Sequence, residues 1–336
     1  MNTNNEKYNR YALCKEMLET ADVVRNYDIS VVEPFAEDVK NENRLFLTGE
    51  GSSRIFPAKR ALYESLKSAG GPQLFTEGAT QALEYDLKNT AVLGMSNSGR
   101  TKELVRLFKK LKSEGHNSLF GISANGGTPL TEISDRANVL SCGGEDAVAA
   151  TKSVVEQALF YDALIDKLAG KTLRGLSQAG DDIETALTID IDPVLIEKIA
   201  SANMIYFAGR NNGVAEELTL KTNEITRKKS DYLEGTYAAH GIEEVMTKKD
   251  VLIVVDPFES EEEKFKECLA EGVGLNIIAI SSRQTSFDTV VIPDGGRFKN
   301  YVELAAGWSL LVEAGIKLGV NLDKPVRARK VGNEVE

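Results

Sequence analysis

The chain has 336 residues, of which 42% are hydrophobic and 27% charged, with 40 Lys and Arg against 51 Asp and Glu for a formal net charge of -11. That length suits two globular domains, and no apolar run approaches the ~20 residues that would cross a bilayer. The acidic excess sets nucleic acid aside as an expected partner, and requires any anionic ligand to be met by local hydroxyls, loop amides and helix N-termini.

The N-terminal MNTNNEKYNRYALCKEM lacks the basic start, apolar stretch and small-residue cleavage site of a secretory signal, so a cytoplasmic location is expected, with no membrane association. Cys14, Cys142 and Cys268 are too widely spaced for a disulfide framework or a Cys-x-x-Cys pair and are expected as reduced, mostly buried thiols.

Residues 1–40 form an expected N-terminal helical segment, with one or two amphipathic helices over 6–40. From Arg44 onward short apolar runs alternate with helical stretches, the pattern of an α/β fold with parallel sheets. The strand candidates of the first half, 41–170, are 44–48, 90–95, 118–123 and 138–142, with helices expected over 56–70, 101–115 and 150–170. A polar stretch over 171–193, broken by glycine and proline, reads as a linker. The second half, 194–336, repeats the plan with strand candidates at 204–209, 250–256, 275–281 and 288–293, and a closing helix over 297–319. From Gly49 to Ser96 is 47 positions, and from Gly209 to Asp256 is again 47. Two equivalent α/β domains, each a parallel sheet flanked by helices, followed by a C-terminal tail, account for this repeat.

Ligands of open parallel sheets bind beyond the carboxyl ends of the strands. The first strand candidate leads into Gly49-Glu50-Gly51-Ser52-Ser53, and the second into Ser96-Asn97-Ser98-Gly99-Arg100-Thr101. The second loop offers Ser, Asn and Thr side-chain donors together with free amides at a helix start, a set able to surround a phosphate dianion. The plainer alternative is an N-cap serine with Gly99 easing the turn. Arg54 stands where a Gly-x-Gly-x-x-Gly fingerprint needs its third glycine, and no Walker lysine is present, so a nucleotide cofactor is not indicated.

Only two histidines are available as acid or base near neutral pH. His116 follows a helix end, where a solvated or capping role is expected. His240 lies in the uncharged run Tyr237-Ala238-Ala239-His240-Gly241, and the alternative to a catalytic role there is a satisfied core histidine. In the helix expected over 213–229, Glu216 and Glu217 suit the first-turn dipole. Glu224 lies deeper in that helix, either as a working carboxylate or as a solvated face charge, and Glu234 on a loop is a rival. With no His-Glu-x-x-His, Ser-His-Asp elbow or clustered metal ligands, neither a metal nor any other cofactor is expected.

Several of these segments together resemble the SIS (sugar isomerase) family. They are Gly51-Ser52-Ser53, Ser96 to Thr101, Glu145 to Ser153 with Ala150 in place of the usual serine, and Asn223-Glu224-Ile225-Thr226 followed 16 positions later by His240-Gly241. The likeness covers about residues 40–336. It implies two tandem flavodoxin-like SIS domains and a sugar-phosphate substrate, in a homodimer whose active site lies at the subunit interface, where His240 can serve the neighbouring subunit. The tail Arg327-Ala328-Arg329-Lys330 resembles the family's lysine-bearing C-terminal tail. As a stand-alone pair with this Glu-to-His interval, the chain is most similar to the fructosamine-6-phosphate deglycases, including those acting on glucoselysine 6-phosphate. The resemblance then implies Glu224 and His240 as catalytic residues. It further implies that Gly51, Ser52, Ser53, Ser96, Asn97, Ser98, Thr101, Glu145 and Lys330 bind substrate. The rival readings are an amino-sugar-phosphate isomerase or deaminase, and a non-catalytic sugar-phosphate sensor.

Overall fold

The computed structural model describes every residue except 3, 69, 70, 328–332 and 336. In chain order, the longer helices and the strands of the first half are α1 (Ala12–Arg25), β1 (Arg44–Gly49), α2 (Ile55–Leu66), β2 (Gln73–Gly78), β3 (Ala91–Ser96), α3 (Lys102–Ser113), β4 (Leu119–Ser123), β5 (Arg136–Val139) and α4 (Lys152–Leu168). There follow α5 (Leu176–Thr188), α6 (Pro193–Ser201), β6 (Met204–Gly209), α7 (Val214–Thr226), β7 (Lys229–Glu234), β8 (Val251–Val255), β9 (Asn276–Ser281), β10 (Asp288–Val291) and α8 (Lys299–Lys317).

The strands make two five-stranded sheets in the orders β2-β1-β3-β4-β5 and β10-β9-β8-β6-β7, and every neighbouring pair is parallel. Read from the β7 edge, the second order matches the first strand for strand. The α/β expectation with two repeated parallel sheets therefore holds. Two units contain them. One comprises residues 22–145, 150–177 and 327–336 and holds β1–β5, and the other comprises 1–21, 146–149 and 178–326 and holds β6–β10.

Strands β3, β4 and β8 are buried along their whole length, as continuous apolar runs covered on both faces should be. The sequence pattern showed four strands per half, whereas each sheet has a fifth, β2 or β7. Both are edge strands of mixed polarity, QLFTEG and KSDYLE, with much of their length exposed or half-exposed, so neither shows the apolar run by which interior strands announce themselves. The expected strand over 138–142 is displaced to β5. Its last residues instead turn toward α4, where the Ser141 and Cys142 amides donate to the Glu156 carboxylate at 2.8 and 2.7 Å.

Each half closes on a buried helix. Along α8, Gly307 has no room for a Cβ, which would come within 2.4 Å of the Leu218 side chain, and a Cβ on Gly315 would come within 2.9 Å of the Ile225 carbonyl. These two glycines let α7 lie close against α8, which fixes the helix carrying Glu224. The segment 171–193 contains α5, which buries Ile183, Ala186 and Leu187. All three thiols are free, but only Cys14 is buried, as expected, while Cys142 and Cys268 are half-buried.

Candidate functional site

Both sheets change winding direction between their second and third strands in space, at β1/β3 and at β6/β8, and such a switch point leaves a crevice at the carboxyl ends of the strands. In the β1–β5 unit this crevice is flanked by Gly51-Ser52-Ser53 and by the loop Ser96–Thr101. Ser96 is almost fully buried. Its hydroxyl lies 2.8 Å from that of Thr101 and accepts the Gly99 amide at 3.0 Å, while the Ser98 hydroxyl accepts the Arg100 amide at 3.2 Å. Neither serine caps α3. The N-cap is Thr101, without a side-chain bond to the helix, so both serines belong to the loop.

Gly99 has φ of 68°, and a Cβ there would lie 2.2 Å from Thr128 Oγ1 and 2.7 Å from Ser123 Oγ. No other residue fits this turn without moving its neighbours. The Asn97 carbonyl accepts from Ala124 N at 3.1 Å, Ser123 Oγ at 3.2 Å and Asn125 Nδ2 at 2.9 Å, tying the loop to the end of β4. Glu145, 8% exposed, is the other anchor. Its carboxylate accepts from Asn97 Nδ2 at 2.9 Å, Thr151 N at 2.7 Å, Thr151 Oγ1 at 3.0 Å and the Ser153 hydroxyl. The second Asn97 amide hydrogen goes to Ser153 Oγ at 2.8 Å. Asn97 thus has both side-chain donors engaged, and Glu145 acts on the loop by holding Asn97 and the start of α4. Ser53 accepts from Gln157 Nε2 of α4 at 3.4 Å, and Ser52 is buried.

The tail reaches this unit too. Lys102 N donates to the Asn333 carbonyl at 3.0 Å and Val335 N to the Arg100 carbonyl at 2.8 Å, which places residues 333–335 along the loop's exit. Lys330 lies outside the described residues.

Glu224 and His240 belong to the β6–β10 unit. Glu224, with its side chain 24% exposed, pairs with Lys221 Nζ at 2.7 Å, and the same ammonium lies 3.3 Å from Glu217; both Lys221 and Glu217 are fully buried. Burial pulls against the charge on Lys221, but Glu224 and Glu217 outweigh it and hold the ammonium more firmly protonated than an ordinary lysine. Glu217 does lie in the first turn, as expected, and it is also an interior partner of Lys221. Lys221 is the residue that sequence reasoning missed. The available signal was its position, four residues after Glu217 and three before Glu224, on the face shared with Leu218, Thr222 and Ile225.

His240 stands exposed after β7, its Nε2 3.1 Å from Lys264 Nζ, so it is not a core histidine. His116 is held by the carbonyls of Leu87 and Thr90 at 3.0 and 3.1 Å from Nε2, with Nδ1 accepting Ser118 N at 3.2 Å. Its work is to tie down the loop before β3. Glu234 is exposed at the end of β7. Among the described residues, no group of three or more His, Cys, Asp or Glu is arranged to hold a metal ion, and no helix is long and apolar enough to cross a membrane.

Comparison with known proteins matches residues 38–167 to the SIS domain. Glutamine–fructose-6-phosphate aminotransferase (isomerizing) of Sulfolobus acidocaldarius is 22% identical over 322 residues, covering 93% of this chain and 53% of that protein. The chain spans about half the length of the curated relatives it matches. Among solved structures, the C-terminal domain of glucosamine-fructose-6-phosphate aminotransferase from Francisella tularensis superposes with a TM-score of 0.80 at 19% identity, covering 94% of this chain and 98% of that one. Glucosamine-6-phosphate deaminase of Thermotoga maritima superposes with a TM-score of 0.67 at 20% identity, covering 94% and 98%. Residues 38–167 thus match the SIS domain, and the chain as a whole shares the two-sheet fold of the Francisella aminotransferase's C-terminal domain.

Proposed function

We propose that the protein is a SIS-type enzyme acting on a sugar phosphate, and that its reaction is the deglycation of a 6-phosphorylated fructosamine to glucose 6-phosphate and a free amine. The observation that carries the reading is the Ser96–Thr101 loop. It is a turn of hydroxyls and amides at a switch point, held in shape by Glu145 and by the end of β4, in a chain whose net charge of -11 would otherwise repel a phosphate. Ser96, Ser98, Thr101 and the loop amides hold the 6-phosphate. Asn97 contributes through the conformation it imposes, while Gly51, Ser52 and Ser53 meet the sugar hydroxyls. Lys330 of the tail contributes to binding the substrate.

The chemistry falls to Glu224 and His240. Glu224, oriented by Lys221, removes a proton from the first carbon of the ketoamine, and His240 protonates the oxygen on the second carbon, giving an enaminol. Return of a proton to the second carbon and loss of the one on nitrogen convert the enaminol to an imine. Water then splits the imine into aldose phosphate and amine. The exposure of His240 supports a homodimer in which it completes the neighbouring subunit's site. No step calls for a metal or redox cofactor.

A second reading, an amino-sugar-phosphate isomerase or deaminase, draws support from the likeness to the Thermotoga deaminase fold. Product analysis on a panel of 6-phosphorylated ketoamines separates the two: a deglycase releases glucose 6-phosphate together with the intact amine, and a deaminase releases ammonia from an amino-sugar phosphate. If Glu224→Gln and His240→Ala both turn over every accepted substrate at the wild-type rate, the catalytic assignment fails and a sensor becomes the better reading.

A further inference from the structure

The β6/β8 crevice is the positional counterpart of the crevice at the Ser96 loop, yet its chemistry is different. Asp256 follows β8 as Ser96 ends β3, and Arg210 follows Gly209 as Glu50 follows Gly49. Arg210 Nη1 lies 2.7 Å from Asp256 Oδ2, and Lys299 Nζ, at the start of α8, lies 2.6 Å from Asp256 Oδ1. The three side chains are 19% to 25% exposed, which places them at the crevice mouth. Two cations from separate elements therefore converge on one carboxylate.

Three further observations point the same way. Asp256 adopts φ of 46°, one of two non-glycine residues with positive φ among those described, so its backbone is bent into the conformation that sets its carboxylate between the cations. Arg210 stacks over Phe258 with its guanidinium carbon 4.1 Å from the ring centroid, which fixes the fork in place. One turn along α8, the fully buried Glu303 accepts from Asn300 Nδ2 at 3.0 Å through Oε2, while its Oε1 has no hydrogen-bond partner among the described residues. Its counterpart in the first half, Glu156, has donors on both oxygens. The second crevice is thus underpinned by a carboxyl with unused hydrogen-bonding capacity.

We propose that the β6/β8 crevice is a second oxyanion site, built for a carboxylate or phosphate group held between Arg210 and Lys299, and kept shut by the chain's own Asp256 carboxylate in the ligand's place. The duplicated fold then offers an open hydroxyl-lined crevice in one unit and a self-occupied ionic one in the other.

The test counts anions. Equilibrium dialysis against labelled inorganic phosphate, with acetate in a parallel arm, is run on the wild-type chain, on Asp256→Asn, which keeps the shape and removes the charge, and on Asp256→Gly, which suits the positive φ. Both variants are expected to bind one more anion per chain than the wild type, and the phosphate and acetate arms show which geometry the cations prefer. Lys299→Ala in the Asp256→Asn chain should remove the added site. The readout is a difference from wild type, so it stands or falls separately from whatever the Ser96–Thr101 loop binds. Unchanged stoichiometry in folded variants overturns the proposal. So does loss of folding in both, which would make Asp256 an indispensable structural counter-ion, or an anion found between Arg210 and Lys299 in wild-type crystals grown in sulfate.

Discussion

Ser96 and Asp256 occupy the same place in two copies of one topology, and the surroundings of each show how a duplicated fold can diverge without changing its sheets. Around Ser96 every partner is a neutral hydroxyl or amide, with one buried carboxylate, Glu145, set back to organise them. Around Asp256 the partners are charged and already matched. The contrast continues into the closing helices, where Glu156 and Glu303 stand five positions into α4 and α8 respectively. Glu156 accepts Ser141 N, Ser141 Oγ and Cys142 N within 2.8 Å. Glu303 has Asn300 alone among the described hydrogen-bond donors, and its pKa is raised to about 7, first by burial and then by Asp256. The first crevice is thus lined by neutral groups with well-satisfied supports, whereas the second carries its own internal counter-ion.

The largest expected effect tests the division between holding and chemistry. Glu224→Gln should lower kcat about 10²- to 10⁴-fold while leaving the affinity for the sugar phosphate nearly unchanged. A parallel fall in affinity would show that Glu224 serves binding instead. Steady-state kinetics together with direct binding of the phosphorylated product separate the two.

Next come the paired glutamates, for which opposite signs are expected. The folded chain keeps Glu303 protonated up to about pH 7, where an unfolded glutamate ionises near 4.5. Between those values the native state binds the additional proton, so this residue's contribution to stability falls as pH rises, and the loss is complete above the window. The shift corresponds to about 3 kcal/mol. Glu303→Gln should therefore be more stable than wild type by up to that amount at pH 8, and by much less at pH 4.5, in urea unfolding at the two pH values. Glu156→Gln should be less stable by about 1–3 kcal/mol at pH 8, because a side-chain amide cannot accept on both sides and leaves a donor unpaired. Equal signs for the two would break the comparison. The smallest effect belongs to the loop itself: Ser98→Ala, which removes one hydroxyl, should raise KM about fivefold, or about 1 kcal/mol, with kcat little altered.

Much of the fold was legible because interior parallel strands must be apolar along their length, and β1, β3, β4, β6, β8 and β9 each showed such a run. The edge strands β2 and β7 were not, since a strand with an exposed side can be built from QLFTEG or KSDYLE. The Ser96–Thr101 loop could be read because its residues are contiguous. Glu145, 48 positions from Asn97, came to notice only through family resemblance, and its role in fixing the Asn97 side chain became visible only in three dimensions.

The sequence by itself determined the duplication, the parallel α/β class, the hydroxyl loop, and the short roster of groups able to move a proton near neutral pH, because these depend on local composition and periodicity. Tertiary structure decided which charges are buried and against what. Lys221 sits in the interior between Glu217 and Glu224, Glu303 is buried near the like-charged Asp256 and both effects favour its proton, and Asp256 lies between two cations from different elements. The energy of a charge is set by its solvent exposure and by neighbours brought from distant parts of the chain, and neither is a property of the residues adjacent in sequence.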